Sequence, residues 1–444
     1  MVQRDKRRLS SLIDYIVTTE EEKRRLRKQD ENIIEGDIPL NQDFKGKILE
    51  IYSKDRSNYT HGFHKYPAKY IPEIPRWGIL KFSKEGDTLI DPFCGSGTTN
   101  VEARLHKRNS YAIDVDPIAL LLTKVKTTPL DERALLTERR GLTKDIYSNQ
   151  NAEIPEFPNR NYWFRLDVLH DLGVITSCIR SIDNPDLRDF FSVCLSSILK
   201  EVSNADPKFL YALAISRKMR EKPNCNRKID AKKVFLQKVN ALIPKMIQFS
   251  KACSKEHFAK IIGKDAREID LPKESINLAV TSPPYCNAVD YPRAHQLQIY
   301  WFDIWHGKLS GLKGIYIGSE QVSARDYAKQ QNYGNPTLDR ILEDIYLVDK
   351  KRSYVVYKYF TDMKKNFLEI NRVLVSRGYY VMTVSDNIIR KVRVPTHEIL
   401  MDVAREAGFQ VIDYYGSSLM MRPHNMRQTE KMGVDWIMAF QKEA

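Results

Sequence analysis

Two short runs in this chain combine residue types and spacing that could do chemistry. The first, DPFCGSGTT at 91–99, directly follows the apolar residues Thr88–Ile90. Gly95 and Gly97 let the backbone turn tightly and approach a ligand where a Cβ would clash. Asp114 stands at the end of the next apolar run, Ser110–Ile113, where an acid can accept hydrogen bonds from two ribose hydroxyls. The turn lacks the third glycine of GxGxxG and carries no P-loop lysine. A pyrophosphate is therefore not its natural ligand. A nucleoside without phosphates fits better, which points to S-adenosylmethionine.

The second run, Ser282–Pro283–Pro284–Tyr285, follows the apolar stretch Ile276–Val280. Two consecutive prolines fix φ and remove two backbone donors. The carbonyls of Ser282 and Pro283 are left rigid and free to accept, and Tyr285 offers a flat stacking face. Acceptors beside a stacking plate, with no evident acid or base, suit a planar exocyclic amine. A side-chain oxygen and a main-chain oxygen can hold its two hydrogens. The nitrogen lone pair is then drawn out of conjugation and aimed at an electrophile. Either run alone could be plain punctuation, a βα turn or a strand stop. Paired, they read as two halves of one site.

DPFCGSGTT and TSPPY together resemble the paired motifs of the amino-group DNA methyltransferases, FxGxG for the cofactor and (D/N/S)PP(Y/F/W) for the target amine. The serine form resembles the cytosine-N4 branch more than the adenine-N6 branch. The glycine turn precedes SPPY here, whereas many cytosine-N4 enzymes carry the reverse order. Upstream, HGFHKYPAKYIP at 61–72 resembles the segment that meets the cofactor's methionine, with Lys69 or its neighbours near the carboxylate. Gly263–Lys264–Asp265 resembles the GDA segment, in which Asp265 would meet the cofactor's adenine amino group. The resemblance covers roughly residues 61–125 and 258–440. It implies a catalytic set of Ser282, Pro283, Pro284 and Tyr285, and a cofactor set of Lys69, Asp91, Phe93, Gly95, Gly97, Thr98, Asp114 and Asp265.

What the resemblance implies in function is a site-specific DNA methyltransferase that uses S-adenosyl-L-methionine. Its target base must leave the duplex, because a stacked amine cannot meet the sulfonium. Cytosine N4 is the expected target and adenine N6 the alternative. A tRNA or other RNA guanine-N2 methyltransferase is the rival outside DNA, since such cores carry a similar turn with an Asn- or Asp-type PPY. The expected partners are double-stranded DNA and, in a restriction–modification setting, a cognate restriction endonuclease.

Positioning these runs requires strand, glycine turn, helix, strand and acid in order, the opening unit of a doubly wound, Rossmann-like α/β sheet. The expected layout is an N-terminal helical arm over 1–45, a first catalytic part over 46–125, and a second over 258–444. Between them, 126–257 lacks strand–helix alternation and reads as an inserted, mostly helical domain, with helical runs at Leu187–Val202 and Ala231–Ser254. The stretch from Gly97 to Ser282 far exceeds the ~30 residues of a βαβ unit, so the insertion is assigned to target recognition. A basic cluster in it, Arg217, Lys218, Arg220, Lys222, Arg227 and Lys228, suits DNA phosphates. A helical insertion that only packs or dimerises is the alternative. After SPPY, Asn287, Asp290, Arg293 and His295 could line the base pocket or, Arg293 above all, hold a phosphate. Residues 310–340 are polar and glycine-punctuated and read as a mobile loop. A helix near Tyr354–Val375 should stop at Arg377–Gly378, ahead of a strand over Tyr379–Val384.

Composition frames the rest. The 444 residues hold 71 Lys and Arg against 57 Asp and Glu, a net charge of +14 that favours a polyanionic partner. No run approaches the ~18 apolar residues of a membrane span, and the basic N-terminus has no apolar leader core. A cytoplasmic protein is expected, with no membrane partner. The six cysteines are scattered without CxxC, so neither a disulfide framework nor a zinc cluster is expected, and no HxxxH spacing suggests a metal.

Overall fold

The computed structural model describes residues 33–206, 209, 213–215, 229–286, 290–418 and 433–444. The basic cluster at 217–228, Asn287 and most of the expected N-terminal helix lie outside the described residues. In chain order the elements are β1 (Ile33–Glu35), β2 (Ile48–Tyr52), α1 (Glu73–Phe82), β3 (Thr88–Asp91), α2 (Thr98–Leu105), β4 (Asn109–Ile113) and α3 (Pro117–Thr127). The helices α4 (Glu132–Ser148), α5 (Arg160–Trp163), α6 (Leu166–Arg180), α7 (Pro185–Val202) and α8 (Ala231–Ala252) follow. Then come β5 (Ala259–Gly263), β6 (Ile276–Thr281), α9 (Tyr291–Ala294), α10 (Gln296–Trp301), α11 (Leu309–Ile315), α12 (Pro336–Val348) and α13 (Lys350–Val373). The chain closes with β7 (Leu374–Ser385), a small hairpin β8 (Asn387–Ile389) and β9 (Val392–Val394), α14 (Thr396–Glu406), β10 (Phe409–Ser418) and β11 (Val434–Lys442).

The nine-stranded sheet has the order β1-β2-β10-β11-β7-β6-β3-β4-β5. Every pairing is parallel except those of β11, which runs antiparallel to both β7 and β10. This is a Rossmann-like, doubly wound sheet with β2 and β1 added at one edge. The central strands are apolar on both faces, as strands covered twice must be. Leu89, Leu278 and Val381 face α1 with Ile74, Trp77 and Ile79. Ile90, Ala279, Tyr380 and Met382 face the opposite way, into the core built with α13 and α14. The winding direction reverses between β3 and β6, so a crevice opens beyond their carboxyl ends.

Three expectations are revised. Residues 33–45 were expected to continue a helical arm, yet Ile33–Glu35 forms an edge strand parallel to β2. Arg377–Gly378 does not end a helix ahead of a new strand: β7 begins at Leu374 and runs through it as a bulge. Gly378 is required there, because a Cβ would meet the Val375 oxygen at 2.9 Å and the Asn277 oxygen at 3.1 Å. Residues 310–340 are not a free loop. They hold most of α11 and the start of α12, and Arg352 pins Glu320 at 2.6 Å.

The helices between α3 and β5 form no separate core. Their apolar faces pack with Ile118, Leu122 and Val125 of α3 and with Leu297 and Trp301 of α10 in one cluster. Caps set their starts: Asn184 ahead of Pro185 accepts from two backbone amides of α7, and Asp230 accepts from the Lys233 amide of α8.

Candidate active site

A cleft lies beyond the carboxyl ends of β3, β4 and β6. Its floor is the turn between β3 and α2. Gly95 (φ 49°) and Gly97 (φ 72°) both adopt left-handed backbone. A Cβ on Gly97 would stand 2.8 Å from Thr123 Oγ1, and one on Gly95 3.2 Å from the Tyr66 ring. Glycine is thus needed at both positions for conformation and for space. Asp91 ends β3 facing away from the cleft. Its carboxylate accepts from the Thr281 hydroxyl of β6 and from the Phe93 amide at 3.1 Å, tying the two central strands together. Burial pushes Asp91 up to about 6.

Asp114 lines the cleft. One carboxylate oxygen accepts from the Gly95 amide at 2.8 Å and the other from the Asp116 amide at 2.9 Å. Burial, then the charge of Asp116, push it up to about 7. Asp116 caps α3 and sits 2.7 Å from His295 Nδ1, in a pair shielded from solvent. His295 reaches back from α9 and α10 to pack on the Tyr66 ring, centroids 4.9 Å apart. The upstream segment, the loop after β4 and the segment after SPPY therefore meet at one histidine.

Lys69 lines the opposite wall, its Nζ donating to the His61 carbonyl at 2.7 Å. Burial, then Arg56 and Lys245, bring it down to about 8. His61 in turn is 2.7 Å from Glu102, which also accepts from Arg76 at 2.8 Å. Burial would raise Glu102, but hydrogen bonds from His106, His61 and Arg76 outweigh it and hold the carboxyl well below its usual range. This buried network fixes the segment ahead of α1 against α2. Asp265 also lines the cleft, with both oxygens bonded by Arg267 at 2.9 and 2.8 Å.

Ser282 and Pro284 line the same cleft from the end of β6. Pro283 is buried beneath them. The Tyr285 hydroxyl donates to Asp435 of β11 at 3.4 Å, and Asp435 also accepts from Ser385. Of the expected cofactor set, Lys69, Phe93, Gly95, Thr98, Asp114 and Asp265 face the cleft, whereas Asp91 and Gly97 support it from behind. Arg293 is exposed on α9 and does not line it. Sequence reasoning missed an aromatic wall of Tyr66, Tyr291 and Tyr316, the last two stacked at 6.1 Å. Tyr66 lies inside HGFHKYPAKYIP and so had a signal. Tyr316 sat in the segment read as a loop.

The glycine turn after β3 and SPPY after β6 thus lie on one cleft of a doubly wound sheet. The family model described as DNA methylase, of the N6/N4 methyltransferase type, matches residues 1–124. The chain is 25% identical over 389 residues to the Type II methyltransferase M.MvaI of Kocuria varians, covering 81% of this chain and 84% of that one. It is 25% identical over 437 residues to the Type II methyltransferase M.BsoBI of Geobacillus stearothermophilus, covering 87% and 85%. Among solved structures, a SAM-dependent methyltransferase of Methanosarcina mazei is 8% identical over 82% of this chain and 96% of that one, with a TM-score of 0.30. The chain resembles the amino-group DNA methyltransferases.

Proposed function

We propose that this chain is an S-adenosylmethionine-dependent DNA methyltransferase that methylates the exocyclic amine of a flipped base, cytosine N4, in a restriction–modification setting with a cognate nuclease. The observation that carries the reading is the single cleft shared by Asp114, Gly95, Ser282 and Pro284 at the reversal between β3 and β6. The relatives named as Type II methyltransferases support the substrate class.

The residues present fit the cofactor. Asp114 keeps acceptor capacity beyond its two amide donors, as a ribose diol requires. Lys69 and Asp265 line the same cleft; Lys69 would meet the carboxylate and Asp265 the adenine amine. Once bound, S-adenosylmethionine supplies an electrophilic methyl group on a sulfonium. Ser282 Oγ and the Pro283 carbonyl accept the two amine hydrogens and turn the nitrogen lone pair toward that methyl. Tyr285 stacks on the extruded ring, held from behind by Asp435. Rigid positioning and preorganised acceptors supply most of the rate. Residues 126–257 contact the duplex, with Arg217, Lys218, Arg220, Arg227 and Lys228, together with Arg293, on phosphates. The protein works in the cytoplasm, beside its DNA.

The test is to incubate purified protein with S-adenosylmethionine and plasmid DNA, digest to nucleosides and weigh them. N4-methylcytosine is the expected product. N6-methyladenine alone overturns the base assignment, and unmodified DNA beside modified RNA overturns the substrate.

A further inference from the structure

A buried lysine behind the cofactor turn has no place in the mechanism so far. Lys126, in the last turn of α3, is 1% exposed. Its Nζ donates to the carbonyl of Ser96, a residue of the cleft floor. Thr60 anchors the Lys126 carbonyl at 2.8 Å. An ammonium taken out of water is normally paired with an anion or gives up its proton. Among the described residues no carboxylate forms an ion pair with Lys126 or with Lys69. The titratable groups that face Lys126 are Lys69 and His61 from the segment ahead of α1 and the Cys94 thiol from the turn. Lys245 of α8 and Arg56 stand behind Lys69, and Glu102 is engaged by His61 and Arg76. Two amines therefore flank one wall of the cleft, one on its surface and one a single residue deeper, with no acid between them.

We propose that Lys126 is the buried counter-charge of the cofactor's carboxylate, taking up a proton when that anion settles against Lys69 and the Ser96 turn. The inference rests on S-adenosylmethionine occupying this cleft. Burial, then the charge of Lys69, push Lys126 well below the usual lysine range, so an anion settling nearby acts against that shift. An anion nearby favours the charged amine. Lys126 acts through the turn and touches no reacting atom, so it is a positioning residue.

Calorimetry on the full chain at pH 8.5 separates charge from shape. S-adenosylhomocysteine carries the carboxylate; 5′-methylthioadenosine shares the nucleoside and lacks the amino-acid end. Each is titrated into wild type and Lys126→Met in two buffers of different ionisation enthalpy. The ligand's own amine and Lys69, which stands at about 8, titrate in both proteins, so the difference in uptake between the two proteins reports Lys126. Lys126→Met is expected to lower proton uptake with S-adenosylhomocysteine and to weaken that ligand by about tenfold, the effect of one pKa unit. Methylthioadenosine affinity should stay within about twofold, below any tenfold charge effect. Equal loss for both ligands, or unchanged proton uptake, overturns the inference. If Lys126→Met does not fold, Lys126→Gln, which keeps a donor for Ser96, takes its place. If neither variant folds, wild type that takes up no proton with S-adenosylhomocysteine overturns it. Wild type that binds neither ligand overturns the cofactor reading instead.

Discussion

Replacing Asp114 by Asn removes the charge and one acceptor while keeping the side chain's shape. In the wild type, each carboxylate oxygen holds one backbone amide, from Gly95 at 2.8 Å and from Asp116 at 2.9 Å, and retains a lone pair for a ribose hydroxyl. The variant's amide nitrogen can accept from neither an N–H nor a hydroxyl. One charge-assisted hydrogen bond to the ligand is lost and the other becomes neutral, at about 1.5–3 kcal/mol for the former. Cofactor affinity should fall by about 10- to 150-fold. A pH signature separates this from general damage. Asp114 stands at about 7 in the empty protein because burial, then Asp116, disfavour its charge. Ribose hydroxyls need the ionised acceptor. Wild-type affinity should therefore rise with pH up to about 7, falling by up to about tenfold per unit below it, and the proton uptake proposed for Lys126 would bring it down again towards pH 8.5. Asp114→Asn should lack that step. The assay is equilibrium binding of S-adenosylhomocysteine from pH 5.5 to 8.5. Equal affinities for the two proteins, or a step that persists in Asp114→Asn, would refute the ribose role.

Ser282→Ala should lower single-turnover methyl transfer by about ten- to a hundredfold, the loss of one hydrogen bond in the transition state. Cofactor binding should change little, and a large loss there would move Ser282 out of the target half of the cleft. Gly97→Ala places a Cβ 2.8 Å from Thr123 Oγ1 on a left-handed backbone. We expect about 1–3 kcal/mol of lost stability from strain alone, read as a lower denaturant midpoint; an unchanged midpoint would mean that the turn yields freely. Glu102→Gln removes the fully buried anion shared by His61 and Arg76, Arg76 keeping only the more exposed Asp37 and Asp55. Breaking such a network costs about 3–5 kcal/mol, so thermal unfolding should shift down sharply, and a near-neutral variant would show that the network is not fixed.

The reach of the sequence can be judged residue by residue. β3, α2, β4 and β6 were legible because each central strand is an apolar run closed by Asp91, Asp114 or Ser282, a pattern that local chemistry alone dictates. Asp114 and Ser282 declared themselves by standing at strand ends. β1 and β2 did not, since IIE and ILEIY gain strand character only by pairing, β2 along β10 and β1 along β2. α11 was hidden because its seven residues include two glycines, and Leu312 alone among them is buried. Asp265 was legible as an acid after β5, yet its bidentate hold by Arg267 two residues on could only be seen in the fold. Lys126 reads as one of two lysines near the end of a helix; its burial depends on Thr60 and Ser96 from elsewhere in the chain.

The helical insertion has more to do with the site than its place in the chain suggests. Phe63, in the segment ahead of α1, packs edge-on against Phe190 of α7 at 5.9 Å, and His64 meets the Ser196 hydroxyl of the same helix at 3.1 Å. Trp301, at the end of α10, donates to Thr176 of α6 at 2.9 Å. One helical block thus braces both the segment bearing Tyr66 and Lys69 and the segment bearing Tyr291 and His295. These two segments form opposite parts of the cleft wall and are themselves joined through His295 and Tyr66. A displacement of α7 would move the cofactor wall and the segment after SPPY together. A recognition role for residues 126–257 and a packing role are therefore not rivals. The packed helices fix the cleft, and the proposed phosphate contacts at Arg217, Lys218 and Arg220 lie between α7 and α8 in the chain, outside the described residues. Neutralising those three side chains should accordingly flatten the salt dependence of DNA affinity, by up to about 0.9 in log–log slope per lost phosphate contact, while leaving S-adenosylhomocysteine affinity at its wild-type value. Loss of cofactor affinity in that triple variant would show that these three side chains, too, support the cleft.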